Sequence, residues 1–359
     1  MPAQAEITPG RIAAGAVTLG WDVGGAHLKA ARIEANGSVS GVWQESCPLW
    51  RGTGYLETAL GHVLAANEGI PAVRHAVTMS GEMADLFPTR RDGVRALVDL
   101  LGRHLDGSLH FYAGSAGFRD AAAAKAEPAR IASANWRATA ELAARRLGEG
   151  LLIDIGSTTT DIVPLRDHAP ATDCADDAAR LAAGELVYTG IARTPVMAIS
   201  TDAPVGGRWL PLMAEHFATS ADVHRVLGWL PEGADLHDSA DGGPKTPAGS
   251  RARLARMVGL DAETLPDAAW RELAAWFADR QLDRINRAVR LVLSRVRLDA
   301  RAPLVATGAG AGLAARLAAR LERPLVRFSD LAPGGARAES IDGCAPAVAA
   351  GLLLAGEPA

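Results

Sequence analysis

The side chains best suited to chemistry gather in one stretch, Leu151 to Pro164, LLIDIGSTTTDIVP. An apolar run leads into Asp154 and Gly156. The hydroxyl residues Ser157, Thr158, Thr159 and Thr160 follow, and Asp161 opens a second apolar run. The pattern predicts a strand, a tight turn and a strand. Such a tip can wrap a phosphate, because turn N–H groups and hydroxyls donate to its oxygens while a carboxylate positions a divalent cation. From this stretch alone an ordinary hydroxyl-rich turn is an equal reading.

A second stretch shifts that balance. AVTLGWDVGGAHLKAARIEANG repeats the plan, with Asp22, Gly24, Gly25, His27 and Lys29 standing where the later copy has Asp154, Gly156 and its hydroxyls. The two aspartates lie too far apart for a short tandem repeat and suit two duplicated domains. A third element joins them near the end. Strand Leu304 to Thr307 runs into Gly308-Ala309-Gly310-Ala311-Gly312 and a helix to about Leu321. In that geometry glycine admits a close backbone approach and the helix N-terminus favours anions.

These motifs need elements to hold them. Asn36-Gly37 predicts a hairpin turn into a third strand over Val39 to Gln44. A helical pattern covers Tyr55 to about Asn67, and Val73 to Met79 reads as a buried strand ending in Ser80-Gly81-Glu82. Ligands gather at that edge of an open α/β sheet, which makes Glu82 a site candidate; a role early in a helix over Met83 to Phe87 is equally open. Helices are expected over Asp92 to Arg103, Ala116 to Ala126 and Ser133 to Leu147, the last with Asn135 as N-cap. Gly184 to Gly190 gives a short strand and polar turn before Arg193-Thr194-Pro195. Residues 196 to 250 have no clear period and many turn formers, so they read as an insertion of loops without a core of its own. Within it, His216 and His224 have no obvious third ligand and read as surface or packing histidines. A long amphipathic helix is expected from Asp267 through Arg297, and a buried apolar helix near the C-terminus.

The chain has 359 residues, long enough for two domains. The expected division is residues 1–148 and 149–359, with the insertion at about 196–265. A net charge of −4 makes nucleic acid a poor partner. Cys47, Cys174 and Cys344 are scattered, which fits a reducing cytoplasm and argues against a zinc site. No basic and apolar leader is evident, and Ala345 to Ala355 is shorter than the ~18 residues of a membrane span. No membrane partner is expected, and a homo-oligomer is left open.

The paired D-x-G hairpins and the late glycine turn resemble the actin, sugar kinase and Hsp70 superfamily. The resemblance implies an α/β fold of two duplicated actin-like, ribonuclease H-like domains with a cleft between them, and the length points to its hydantoinase A/oxoprolinase branch. A narrower set of segments, GWDVGGAHLKAA, CPLWRG, TMSGEMADLF, LLIDIGSTTTDIVP, GELVYTGIARTPV and ATSADVHRVLG, is similar to the methanofuran-biosynthesis synthase family. That likeness implies a transferase joining an aminomethylfuran-methanol diphosphate to the phenol oxygen of a glutamylated tyramine or tyrosine unit, with diphosphate released. It carries Asp22, Gly24, Gly25 and Lys29 to one phosphate loop, and Asp154, Gly156, Ser157, Thr158 and Thr159 to the other, with Gly308 and Gly310 approaching the phosphates.

Asp22 and Asp154 are the candidates for magnesium. The phenol must lose a proton, and Asp161, Glu82 and His27 are open as its base. Lys29 lies in a return strand and points either to phosphate or away. Thr189, Arg193 and Thr194 are placed with Glu82 on substrate. The alternative is an ATP-dependent kinase or amidohydrolase of the same fold, in which ATP becomes the cofactor; a third is a nucleotide-binding scaffold without chemistry.

Overall fold

The computed structural model describes residues 17–70 and 73–356; the leader expected over residues 1–15 lies outside them. Contacts divide the chain into two units. One takes the described residues up to Leu142 together with those from Ala332 onward, and the other runs Ala143–Leu331.

The chain begins with β1 (Val17–Val23), β2 (His27–Ile33), β3 (Val39–Ser46), α1 (Gly54–Ala65), β4 (Val73–Met79) and α2 (Arg90–His104). It continues through β5 (Ser108–Tyr112), β6 (Phe118–Arg119), α3 (Ala121–Ala126), α4 (Pro128–Ile131) and α5 (Asn135–Leu147). Then come β7 (Gly150–Ile155), β8 (Thr160–Arg166), β9 (Ala169–Pro170), α6 (Asp177–Ala183), β10 (Leu186–Val187), β11 (Asp202–Val205) and β12 (Arg208–Pro211). Helices α7 (Ser220–Leu227), α8 (Pro247–Met257) and α9 (Asp267–Arg295) precede β13 (Leu304–Thr307), α10 (Ala311–Arg320) and β14 (Leu325–Arg327). Finally, α11 (Ala338–Gly343) and α12 (Ala345–Ala355) return to the first unit.

In the first unit the strand order is β3-β2-β1-β4-β5-β6. Tight turns make β1, β2 and β3 antiparallel, while β4 and β5 run parallel to β1; α2 supplies the long crossover that parallel neighbours require. The second unit has β10-β8-β7-β13-β14, with β9 beside β8. There β7, β8 and β10 are antiparallel, and β13 and β14 run parallel to β7. Strands β3-β2-β1-β4-β5 correspond in order and direction to β10-β8-β7-β13-β14, which is the duplicated actin-like, ribonuclease H-like plan expected from the paired hairpins.

One face of the first sheet packs Trp21, Leu28 and Phe111 with apolar residues of α1 and α2. The other carries α12, whose residues from Ala345 to Leu354 are all buried. A helix apolar all round belongs inside a protein, and among the described residues no helix is long and apolar enough to cross a membrane. The expected boundary put this helix in a second domain, 149–359. The structure places it on β1, β2 and β4 instead, because an apolar helix does not encode which sheet has a face left to cover.

Two local expectations change. Gly81–Met83 forms one tight helical turn where a helix over Met83 to Phe87 was expected, and Phe118–Arg119 is a strand ahead of α3. The insertion changes more. Residues from 196 onward close a core of their own, in which Val196, Ala203, Val223, Leu254 and Met257 meet Trp270, Leu273 and Phe277 of α9. The first half of α9 supplies the wall that completes it, so the segment up to 265 shows too few apolar positions to reveal a core.

Candidate functional site

The β1–β2 turn is tight: the Gly24 N–H donates to the His27 carbonyl at 3.0 Å. Two neighbours brace it. Cys47 and Leu49 N–H groups donate to the carbonyls of Ala26 and Gly25 at 2.9 and 3.0 Å, and the Ser80 N–H donates to the Val23 carbonyl at 3.0 Å. The CPLWRG and SGEM segments are thus the supports of this loop. Asp22 registers opposite Lys29, and directly opposed residues of an antiparallel pair share a face. Lys29 therefore stands on the aspartate's face, as does His27 two residues before it. Asp22 and Lys29 act oppositely on the buried Cys344 thiol, Lys29 lowering and Asp22 raising its pKa, while burial itself pushes it up to about 12.

The loop before α5 holds two carboxylates of this unit. Asn135 Nδ2 donates to Asp22 Oδ1 at 3.4 Å, and Ser133 Oγ donates to Glu82 Oε1 at 2.8 Å. Ser133 takes φ of 51°, a left-handed conformation uncommon outside glycine and a cost accepted where surrounding contacts fix the backbone. Glu82 is 1% exposed, and its second oxygen meets no hydrogen-bond partner among the described residues. Burial raises its pKa, against smaller opposing effects of Ser133 and Arg90. Neither contact of the 133–135 loop is readable from spacing.

An acid whose folded pKa is raised binds its proton more tightly in the folded state, so its contribution is most favourable below its ordinary 4.5 and is lost as pH rises through the raised value. Glu82→Gln is expected to gain stability relative to wild type as pH climbs above 4.5 and through the raised value. Paired denaturation midpoints check this; a difference that stays flat with pH contradicts it.

In the second unit the Gly156 N–H donates to the Thr159 carbonyl at 2.9 Å, closing the β7–β8 hairpin. Segment 190–194 straps its back. The Ile191 N–H donates to the Gly156 carbonyl at 2.9 Å, and Ala192 and Arg193 N–H groups donate to the Ser157 carbonyl at 3.1 and 2.8 Å. In a trans peptide C=O and N–H point opposite ways. With these carbonyls turned to the strap, the N–H groups of Ser157 and Thr158 face away from it, beside their own hydroxyls. Amides and hydroxyls so placed are chemically suited to an anion.

Asp154 stands at the end of β7, 8% exposed, in register with Asp161 on β8 and Thr307 on β13. The glycine turn wraps it closely. Gly308 has φ of 80°, and a Cβ there would lie 2.3 Å from Asp154 Oδ1 and 2.4 Å from the Ile155 carbonyl. The Gly310 N–H donates to that same carbonyl at 2.8 Å. Gly308 and Gly310 are therefore needed to seat the end of β7.

Asp161 accepts a charge-assisted hydrogen bond from Arg180 Nη2 at 2.7 Å, and Arg180 is 2% exposed. Burial raises the Asp161 pKa and Arg180 opposes it. A carboxylate pinned this way organises the hairpin. Thr189 and Thr194 are buried as well. Thr194 Oγ1 accepts from the Gly190 N–H at 2.9 Å and lies 3.2 Å from Thr189 Oγ1. Their hydroxyls hold the strap, whereas contact with substrate was expected of them. The Arg193 N–H is tied to Ser157, and partial burial of its guanidinium lowers its pKa, with Tyr188 opposing.

Among the described residues no three His, Cys, Asp or Glu side chains cluster as a metal site. Magnesium asks for less, since it keeps several waters and takes one or two carboxylates. Asp154, at the mouth of an amide- and hydroxyl-lined turn, fits that requirement; it does not fit a metal needing three protein ligands.

A family model described as hydantoinase/oxoprolinase matches residues 74–336. Two curated relatives carry the name (4-{4-[2-(gamma-L-glutamylamino)ethyl]phenoxymethyl}furan-2-yl)methanamine synthase. The one from Methanocaldococcus jannaschii is 29% identical over 294 residues, covering 81% of this chain and 86% of its own. The one from Methanococcus vannielii is 33% identical over 111 residues, 31% of this chain and 50% of that one. The resemblance to methanofuran-biosynthesis synthases drawn from the six segments is borne out by these relatives. Among solved structures, a ROK family glucokinase from Streptomyces griseus in complex with glucose and AMPPNP aligns at 12% identity and a TM-score of 0.48, over 93% of this chain and 98% of that one.

Proposed function

The chain belongs to the hydantoinase/oxoprolinase family, and from that premise we propose that it is a synthase forming a furanmethyl aryl ether. The observation that carries this reading is the match to the Methanocaldococcus jannaschii synthase over most of both chains. That relative's name describes a furan bearing a methanamine, joined through a phenoxymethyl ether to a γ-glutamylaminoethyl side chain. The acceptor proposed here is accordingly a γ-glutamyl tyramine, whose side chain is an ethyl without a carboxylate. The donor is an aminomethylfuran-methanol diphosphate.

In the reaction the phenol oxygen forms a bond to the furan methylene carbon. The C–O bond to diphosphate breaks, its electron pair leaves on the diphosphate oxygen, and the phenol proton passes to a base. Charge develops on the leaving group, so donors fixed beforehand at that place lower the barrier. The Ser157 and Thr158 amides and hydroxyls are suited to this, as the Gly156 and Ser157 carbonyls behind them are held by residues 191–193. The Gly24–Ala26 turn, beside Asp22, His27 and Lys29, is a second phosphate-binding element. Asp154, and Asp22 at its own loop, would hold magnesium, which would supply positive charge to the departing diphosphate. Asp161 positions the second hairpin through Arg180.

The test is direct. Purified protein, magnesium, the furan diphosphate and γ-glutamyl tyramine are expected to yield the ether, detected by mass spectrometry, together with free diphosphate. ATP hydrolysis without ether, under the same conditions, would overturn the reading in favour of an ATP-dependent enzyme.

A further inference from the structure

Helix α9 buries an apolar face, with Phe277 and Ala278 in the core of the insertion and Leu282 and Ile285 packed with Leu151, Ile153 and Ile155. Gln281 interrupts that face and is 1% exposed. An amide buried among apolar side chains costs free energy unless its groups are paired. Here they are. Nε2 donates to the Gly190 carbonyl at 2.7 Å and to Thr189 Oγ1 at 2.8 Å, and Oε1 lies 2.8 Å from His224 Nε2. A carbonyl only accepts, so the amide orientation is set, and His224 Nε2 carries the proton that Oε1 receives. Burial lowers the His224 pKa to about 4, with the Gln281 hydrogen bond opposing and the Arg316 charge adding to it. The ring is therefore neutral near pH 7 and gives its one N–H to Gln281.

The amide meets the strap at the peptide that joins Gly190 to Ile191. The carbonyl of that peptide accepts from Gln281, and its N–H donates to the Gly156 carbonyl at 2.9 Å. C=O and N–H of a trans peptide point opposite ways, so this single peptide stands between α9 and the β7–β8 loop, hydrogen-bonded to both. The fit is close: a Cβ on Gly190 would lie 2.5 Å from the Thr158 nitrogen. Thr189 beside it is held twice, its hydroxyl by Gln281 and its carbonyl by Thr160 Oγ1 at 2.7 Å. A fully paired buried network specifies one arrangement of the groups that it joins. What the amide adds to an otherwise apolar face is the placement of the strap.

On the basis of the ether-forming reaction above, we propose that Gln281 is a positioning residue of the synthase. It acts on the strap and not on substrate. By fixing the 190–191 peptide it sets where the Ser157 and Thr158 amides stand as diphosphate departs. The insertion gains a link to the reaction by the same route, since His224 of α7 reaches the loop through this amide.

Two readouts on the full chain test this: ether formation from the furan diphosphate and γ-glutamyl tyramine with magnesium, and calorimetric binding of inorganic diphosphate with magnesium. Gln281→Met keeps the length of the side chain and removes its hydrogen bonds to the strap. A displacement of ~1 Å at a reacting site can cost ~10²-fold, so kcat per folded molecule is expected to fall ~10²-fold. KM for γ-glutamyl tyramine should stay within about twofold, and diphosphate should bind at least ~10-fold more weakly. Gln281→Asn, one methylene shorter, draws the amide off the strap with less change to the core, and carries the same expectations if the methionine variant does not fold. A folded variant with wild-type kcat and diphosphate affinity, and only a lower melting midpoint, overturns the role. So does a loss that appears as a higher KM for γ-glutamyl tyramine with diphosphate affinity intact, which puts Gln281 at the acceptor. Ether formed at the wild-type rate by folded Gln281→Met sinks the positioning alone. If wild type forms no ether while diphosphate binding still weakens in Gln281→Met, the positioning stands and the reaction falls.

Discussion

Asp154→Ala is expected to abolish ether formation while the protein remains folded. The residue ends β7, next to a hairpin tip whose amides face away from their strap. Removing a group that acts on charge developed during reaction commonly costs ~10²–10³-fold in rate, and loss of the metal with it would cost more. The stability effect should be small, because the apolar residues of the core, Leu151, Ile153 and Ile155, are untouched. The measurements are turnover beside a thermal melt. A variant turning over near the wild-type rate removes Asp154 from the metal role.

The second large effect concerns a residue that touches no ligand. A Cβ at Gly190 would lie 2.5 Å from the Thr158 nitrogen, 2.6 Å from the Gly156 carbonyl oxygen and 2.6 Å from the Ser157 carbonyl carbon. These are backbone atoms of the loop itself, so no side chain can swing aside. Gly190→Ala must push the strap off the loop, and a misplacement of ~1 Å at a reacting site can cost ~10²-fold. Overpacking adds a stability loss of ~1–3 kcal/mol. Gly102→Ala, in α2 with open space around its Cβ, is the matched control and should leave both activity and stability at wild-type level or slightly better. Equal behaviour of the two variants would show that the strap does not set the loop.

The contrast between Asp154 and Gly190 marks what a sequence can reveal. Both D-x-G hairpins are legible because they combine period-two apolar runs, glycine at the turn and a carboxylate at the strand end, all within a few residues. The late Gly308 turn is legible for the same local reason, although its glycines prove to lie tightly against Asp154 and Ile155 at the end of β7. Glu82 was placed by the end of its strand, and its burial under Ser133 comes from a loop distant in sequence. Asp161 stayed open as a base or a turn organiser because nothing near it in the chain announces Arg180. Thr189 and Thr194 looked like ligand contacts because buried hydroxyl pairs and exposed ones have the same letters. His224 read as a surface or packing histidine; it is buried, and the Gln281 whose Oε1 lies 2.8 Å from its Nε2 sits on a helix whose pattern shows only amphipathicity. The core of the insertion was hidden because half of it is carried by α9.

The central claim is that a phenol oxygen displaces diphosphate from a furan methylene carbon. The most direct measurement uses γ-glutamyl tyramine with an isotopically heavy phenol oxygen, together with the furan diphosphate and magnesium. The account predicts that the heavy oxygen is retained in the ether and that one diphosphate appears per ether formed, with no nucleotide added. Loss of the label to solvent, or product formation that requires ATP and yields no diphosphate from the furan substrate, contradicts it.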